Sequence, residues 1–306
     1  MKTLVLILGP TGVGKTELSL RVAEHFGSPV ISCDSRQVFR EIPIGTAAPS
    51  SAEMERVKHY FIGTRSIEEN YSAGQYEQEA LGLIDTLFAS HDTLVMTGGS
   101  MLYADAVCDG LDDLPHIPQA LRSELNEQYQ AKGLAWLQAE VQRQDPEYWD
   151  IVDRKNPARL IHCLELCRIT GKTYSSLRTQ TKKKRPFRIL KVALDRPREE
   201  LYNRINKRVL QMIKDGLETE ARRVYPLRRL PALQTVGFRE LFAYMDGEYD
   251  LARAIELIQQ NTRHYAKRQL TWFRRDEQIH WLNATDDYET NIHTIDSWLA
   301  DDSMQA

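Results

Sequence analysis

Apolar and polar positions change period several times along the chain. Thr3-Leu-Val-Leu-Ile-Leu8 is an unbroken apolar run, the pattern of a strand buried on both faces of a parallel sheet. Glu17–Glu24 then carries apolar residues at helical spacing. Val30-Ile-Ser32 predicts a second strand, Ser72 an N-cap for a helix reaching about Ser90, and Thr93–Met96 another buried strand. Short apolar runs alternating with helical patterns predict a parallel α/β sheet. From Leu111 the texture changes. Asp112–Pro118 is rich in turn residues, and from Gln119 the pattern is helical until Phe187. Residues 113–185 are therefore expected to form an all-helical insertion, closed by the basic run Lys182-Lys183-Lys184-Arg185-Pro186. Arg188–Leu194 reads as a strand returning to the sheet, a helix starts near Pro197, and Leu251–Arg274 is a long amphipathic stretch. The core is thus expected over 1–112 and 186–306, with fraying after Ala300.

Between the first strand and the first helix lies Gly9-Pro10-Thr11-Gly12-Val13-Gly14-Lys15-Thr16, which fits G-x-x-x-x-G-K-[ST] at every specified position. Strand, glycine loop and helix start are the context that gives this motif meaning. Its inward backbone N–H groups and the helix N-terminus form an anion cradle. Lys15 is expected along the phosphates, with the Thr16 hydroxyl on Mg²⁺. The fold class expected is therefore P-loop NTPase-like. The loop predicts a polyphosphate ligand without naming it.

Composition narrows little. Forty Lys and Arg against 43 Asp and Glu give a net charge of −3, so total charge supplies no reason to expect nucleic acid, although local stripes outweigh totals. The four cysteines (Cys33, Cys108, Cys163, Cys167) form no C-x-x-C pair, so neither a zinc ribbon nor a disulfide framework is expected. No signal peptide and no span of membrane-crossing length is read, and a reducing cytoplasm is expected.

In open α/β sheets ligands gather at the carboxyl ends of the strands. That rule brings together the phosphate loop, Cys33-Asp34-Ser35-Arg36-Gln37 and Gly98-Gly99-Ser100. Asp34 is read equally well as a general base or metal-linked carboxylate and as a helix N-cap; beside a polyphosphate the functional reading gains. The strand ending Thr97-Gly98-Gly99-Ser100 lacks the acidic residue that hydrolytic P-loop enzymes use for Mg²⁺, which argues against an ATPase motor. Ser100 fits a phosphate donor or an N-cap. Arg204 and Arg208, four apart, share a helix face, and two guanidiniums there suit an anionic leaving group or RNA phosphates; on spacing alone solvated surface arginines are the default reading, as for Arg159. His264–Arg275 interleaves cations with aromatics, which suits RNA or an amphipathic helix with an aromatic core side.

Taken together, these residues resemble the tRNA dimethylallyltransferase (tRNA isopentenyltransferase) family from the first strand to about Trp281. The resemblance rests on the loop Gly9–Thr16, Asp34-Ser35-Arg36-Gln37-Val38-Phe39-Arg40 with Ile44-Gly45-Thr46-Ala47, Gly98-Gly99-Ser100-Met101-Leu102-Tyr103, Asn156-Pro157-Ala158-Arg159, Gly237-Phe238-Arg239 and Lys267-Arg268-Gln269-Leu270-Thr271-Trp272-Phe273. It implies transfer of a dimethylallyl group from dimethylallyl diphosphate to N6 of adenine 37 of tRNA, with Mg²⁺. On that basis Asp34 is the general base, Ser100 touches donor or tRNA, and Arg204 steadies the leaving diphosphate. Arg122 lies near the substrate. Asp34–Gln37, Ser100, Ala158-Arg159-Leu160-Ile161-His162, Gln234-Thr235-Val236-Gly237-Phe238-Arg239, and Lys267, Arg268, Gln269, Trp272 and Arg274 align with tRNA-contacting positions. A cytoplasmic monomer of the bacterial type is implied, since no C-terminal zinc finger is present. The sequence departs from the family at His162, where a second arginine is usual, at Ser100 for threonine and at Phe39 for tyrosine. The competing readings are a small-molecule P-loop kinase, a transferase acting on free adenine nucleotides, and a non-catalytic RNA-binding module.

Overall fold

The computed structural model describes residues 1–179 and 181–301. The fraying expected after Ala300 falls chiefly on residues 302–306, outside the described residues. The chain divides into two compact units, Met1–Cys108 with Lys184 onward, and Asp109–Lys183. The cuts differ by a few residues from those read in the sequence. Lys183 N–H donates to Asp109 O and Thr179 N–H to Asp112 Oδ1, so the 109–112 segment is tied into the helical unit.

The first unit begins with β1 (Thr3–Leu8), α1 (Lys15–Phe26), β2 (Val30–Ser32), α2 (Ser51–Arg56), β3 (His59–Tyr60), α3 (Ala73–Phe88), β4 (Thr93–Thr97) and α4 (Met101–Cys108). The helical unit holds α5 (Gln119–Gln144), α6 (Pro146–Ile151), α7 (Pro157–Thr170) and α8 (Tyr174–Leu177). The chain then returns with β5 (Arg188–Asp195), α9 (Arg198–Lys214), α10 (Leu217–Val224), α11 (Phe238–Met245), α12 (Leu251–Phe273), β6 (His280–Asn283) and α13 (Tyr288–Ala300).

All six strands are parallel, in the order β3-β2-β4-β1-β5-β6. The all-apolar β1 lies inside the sheet, and its side chains alternate between faces. Val5 and Ile7 pack with α1 and α9 residues such as Leu18, Leu20 and Ile205. Leu4, Leu6 and Leu8 join Tyr76 and Ile84 of α3 on the other face. Both faces being covered is why the strand reads as unbroken hydrophobicity. A third cluster joins α9 to α12 with the segment Val38–Ile42, and the helical unit has its own core around Leu125, Leu137, Leu160 and Leu164.

Helix ends follow their local chemistry. Ser72 and Gln75 form a capping box at α3, and Asn156 caps α7, with Pro157 in its first turn. α7 stops at Gly171, which is left-handed. α5 is interrupted at Gly133, where φ is 75°, a break that continuous helical patterning did not predict. β3 and β6 were also not expected.

Candidate active site

Because the strands are parallel, the segments after β1, β2 and β4 emerge on one edge of the sheet. There they line a cavity of about 840 Å³ with the facing sides of α9 and α12. Thr11, Gly12, Gly14, Lys15 and Thr16 line it, with Asp34–Gln37, Gly98 and Gly99, Arg204 and Arg208, and the 234–237 segment with Arg239.

The phosphate loop is held from outside by side chains. Gly12 has φ +83°, and a Cβ there would meet Ile205 Cγ1 at 2.9 Å, so only glycine lets the loop run this close to α9. Arg204 Nε donates to Gly12 O at 2.8 Å, and Arg208 Nη1 lies 3.4 Å from Thr11 Oγ1. Arg196 donates to Val13 O at 3.3 Å. Gln269 Oε1 accepts Thr11 N–H at 2.9 Å. Gly14 at the start of α1 supplies no side-chain cap, so the helix N-terminus faces the cavity uncapped by the protein. Lys15 Nζ donates to Gly9 O at 2.8 Å and Pro10 O at 3.0 Å. Burial, and next the Arg208 charge, hold its pKa down to about 8, partly opposed by Asp34.

Asp34 caps a turn and not a helix, since the next helix, α2, begins only at Ser51. Its Oδ1 accepts Arg36 N–H at 2.9 Å and Gln37 N–H at 3.3 Å, an Asx turn that fixes the carboxylate. Oδ2 has no hydrogen-bond partner among the described residues. Burial lowers the pKa of Arg208, and Asp34 opposes that shift. Burial and then Asp34 push Tyr265, also on the cavity wall, up to about 12. Asp34 thus faces several cations, Lys15, Arg36, Arg204 and Arg208 among them, while Glu17 and Glu53 also line the cavity.

The other expected residues fall in several different places. Ser100 directly precedes α4 and is buried, its hydroxyl accepting Ser35 N–H at 2.8 Å and donating to Ser35 Oγ at 2.9 Å. Gln269 belongs to the lining of the first cavity, but its amide is buried and bonded to Thr11 N–H and to Gly99 O. Phe238 is core, filling the space beside Gly45. Leu160 and Ile161 are buried in the core of the helical unit. Lys267 and Arg274 line a second cavity, of about 680 Å³, with Arg196, Arg198, Tyr202 and Trp281, and Arg274 pairs with Asp195 at 2.9 Å. Trp272 is exposed, with Arg275 over its ring. Arg268 and Gln234 line the first cavity. In the helical unit Ala158 and Arg159 are exposed, while Arg122 and His162 both reach the buried Glu165. Arg208 and Tyr265 are site residues that the sequence reading did not select. The four-residue spacing from Arg204 was the available signal for the first, and the helical spacing of Thr262, Tyr265 and Gln269 for the second.

A family model described as IPP transferase matches residues 37–276. tRNA dimethylallyltransferase 1 of Bacteroides thetaiotaomicron is 53% identical over 289 residues, covering 94% of each chain. tRNA dimethylallyltransferase 2 of Porphyromonas gingivalis is 53% identical over 293 residues, 96% of this chain and 98% of that one. Among solved structures, the full-length tRNA isopentenylpyrophosphate transferase of Bacillus halodurans superposes with a TM-score of 0.72 at 33% identity, over 98% of this chain and 96% of that one. A eukaryotic dimethylallyltransferase acting on tRNA gives 0.76 at 24% identity, over 100% and 77%, a likeness of fold.

Proposed function

The chain belongs to the IPP transferase family, and we propose that it transfers a dimethylallyl group from dimethylallyl diphosphate to N6 of adenine 37 in tRNA. The observation that carries this reading is that a phosphate loop and a fixed carboxylate, Asp34, line the same cavity. In the proposed step N6 of the adenine attacks C1 of the allylic donor. The C1–O bond breaks with its electron pair leaving on diphosphate, and Asp34 takes the N6 proton. The free Oδ2 is the oxygen proposed for that role. Charge builds on the departing diphosphate, and the loop amides from Gly12 to Thr16, Lys15, Arg204 and Arg208 are the donors suited to stabilise it. Adenine must leave the anticodon stack to enter, and Tyr265 offers it a ring on the cavity wall.

A divalent cation fits this donor set. Thr16 and Asp34 present hard oxygens on one cavity, with Thr16 as the proposed Mg²⁺ ligand. Among the described residues the one cluster of three close ligand atoms is Asp145, Cys163 and Cys167, in the other unit. The cation is therefore proposed to arrive with the diphosphate and to neutralise its charge. In the helical unit the exposed Ala158 and Arg159 are proposed tRNA contacts. A cytoplasmic monomer is the proposed working state. The cysteines are free, and no helix among the described residues is long and apolar enough to cross a membrane.

The test supplies labelled dimethylallyl diphosphate with unmodified tRNA, and in parallel with AMP; ATP is offered as a phosphate donor. Label in tRNA is the expected result. Label confined to AMP, or phosphate transfer from ATP, overturns the reading.

A further inference from the structure

Gln269 lies toward the end of α12 with 1% of its surface exposed, and both ends of its amide are engaged. Oε1 accepts Thr11 N–H at 2.9 Å, and Nε2 donates to Gly99 O at 2.7 Å. The two backbone groups belong to the loops after β1 and β4, neighbours in the sheet. A buried amide paired at both ends is stiff, because freeing either end leaves a desolvated polar group. The fit is also tight: a Cβ on Gly99 would lie 2.5 Å from Nε2. The residue after Gly99 is Ser100, whose hydroxyl grips Ser35 at both N–H and Oγ. Ser35 directly follows Asp34, whose carboxylate is fixed by the next two amides. Backbone and hydrogen bonds therefore join the phosphate loop to the carboxylate through two side chains, Gln269 and Ser100.

We propose that Gln269 is a positioning residue, holding the phosphate loop and the Asp34 turn at one separation so that leaving group and base stay in register. The proposal rests on the reaction put forward above and deepens it. Gln269→Met keeps the volume and loses both hydrogen bonds. Gln269→Glu keeps an acceptor for Thr11 N–H but sets a second carboxylate oxygen against Gly99 O. The two variants therefore break the clamp in two different ways.

The experiment measures kcat and KM for transfer from dimethylallyl diphosphate to tRNA in the wild type, in both Gln269 variants, in Ser100→Ala and in the Gln269→Glu/Ser100→Ala double variant. Each preparation is normalised to its folded fraction. Binding of inorganic pyrophosphate is measured separately by calorimetry, without tRNA. Both Gln269 variants are expected to lose about 10–100-fold in kcat, the scale of a small misplacement, with KM for tRNA within about twofold. The double variant should be no slower than the slower single one, because both act on the same connection. Pyrophosphate binding should weaken by about fivefold or more in Gln269→Met, where Thr11 N–H loses its acceptor, and also in Gln269→Glu, where a carboxylate stands beside the anion site. A raised KM for tRNA with kcat intact, multiplicative losses in the double variant, or unchanged pyrophosphate affinity in Gln269→Met would each overturn the proposal. Should the wild type fail to label tRNA, the reaction reading falls, and the pyrophosphate arm still decides whether Gln269 shapes the loop.

Discussion

Lys15 and Arg208 are two cations on one cavity wall, and the second lowers the proton affinity of the first. Burial is the larger cause, and together they bring the Lys15 pKa to about 8. Below that pH the ammonium is charged and available to a diphosphate; above it the charge is lost. Pyrophosphate affinity should therefore be flat below about pH 8 and fall toward tenfold per unit above it. Arg208→Gln should move this step upward, and Lys15→Arg should remove it. For folding the sign is the opposite. The folded value lies below the ordinary lysine value of 10.5, so the unfolded chain binds more protons between the two, and the stability penalty at Lys15 is relieved as pH rises through that window. Calorimetric titration across the range checks it, and a pH-independent Kd in the wild type refutes it.

Asp34→Asn separates position from proton transfer. The amide oxygen can still accept from Arg36 and Gln37, so the turn should persist and Tm should move by only about 2 °C, the scale of a surface change. Single-turnover prenyl transfer should fall by about 10²–10⁴. Activity within a factor of about three of wild type would remove Asp34 from the base role.

Gly98 and Gly82 make a matched pair. A Cβ on Gly98 would lie 2.6 Å from Cys33 Sγ and 2.7 Å from the Cys33 carbonyl, where the end of β2 cannot yield. Gly98→Ala is expected to destabilise by about 1–3 kcal/mol. Gly82, inside α3, has nothing within 4 Å of such a Cβ, so Gly82→Ala should stabilise by up to about 1 kcal/mol. Urea denaturation of both reads the contrast directly.

In the helical unit the buried Glu165 receives Arg122 Nε at 2.7 Å and Nη2 at 3.1 Å, with His162 Nδ1 at 3.4 Å. Burial raises the Glu165 pKa, but the His162 and Arg122 bonds outweigh it and the net shift is downward. The contribution is thus present above the ordinary glutamate range and lost as pH falls through the depressed value. Arg122→Ala should cost about 1–3 kcal/mol at neutral pH by leaving that carboxylate short of partners. Denaturation near pH 7 and near pH 3.5 should show a smaller acid-induced loss in the variant than in the wild type.

The loop and the central strands were legible because their signals are local: eight residues fix the phosphate loop, and one apolar run fixes β1. His59-Tyr60 and His280–Asn283 were not, since a two-residue edge strand and a strand of mixed polarity carry no period. Spacing put Arg204 and Arg208 on one face of α9 but could not say what that face touches; the neighbouring loop decides it. Lys267-Arg268-Gln269 reads as a basic surface, yet Ala266, Gln269 and Phe273 recur at helical spacing on the buried side. A polar residue on that side was the sign of an internal clamp. Asp34 stayed ambiguous because turn capping and chemistry ask for the same carboxylate.

The placing of β1 between β4 and β5 has a consequence for synthesis. Thr3 pairs with Arg188, so the ribosome must release well over half of the polypeptide before the second flank of this strand exists. Until then Leu4–Leu8 presents an apolar edge to solvent, and the nascent chain is a natural client for holding chaperones.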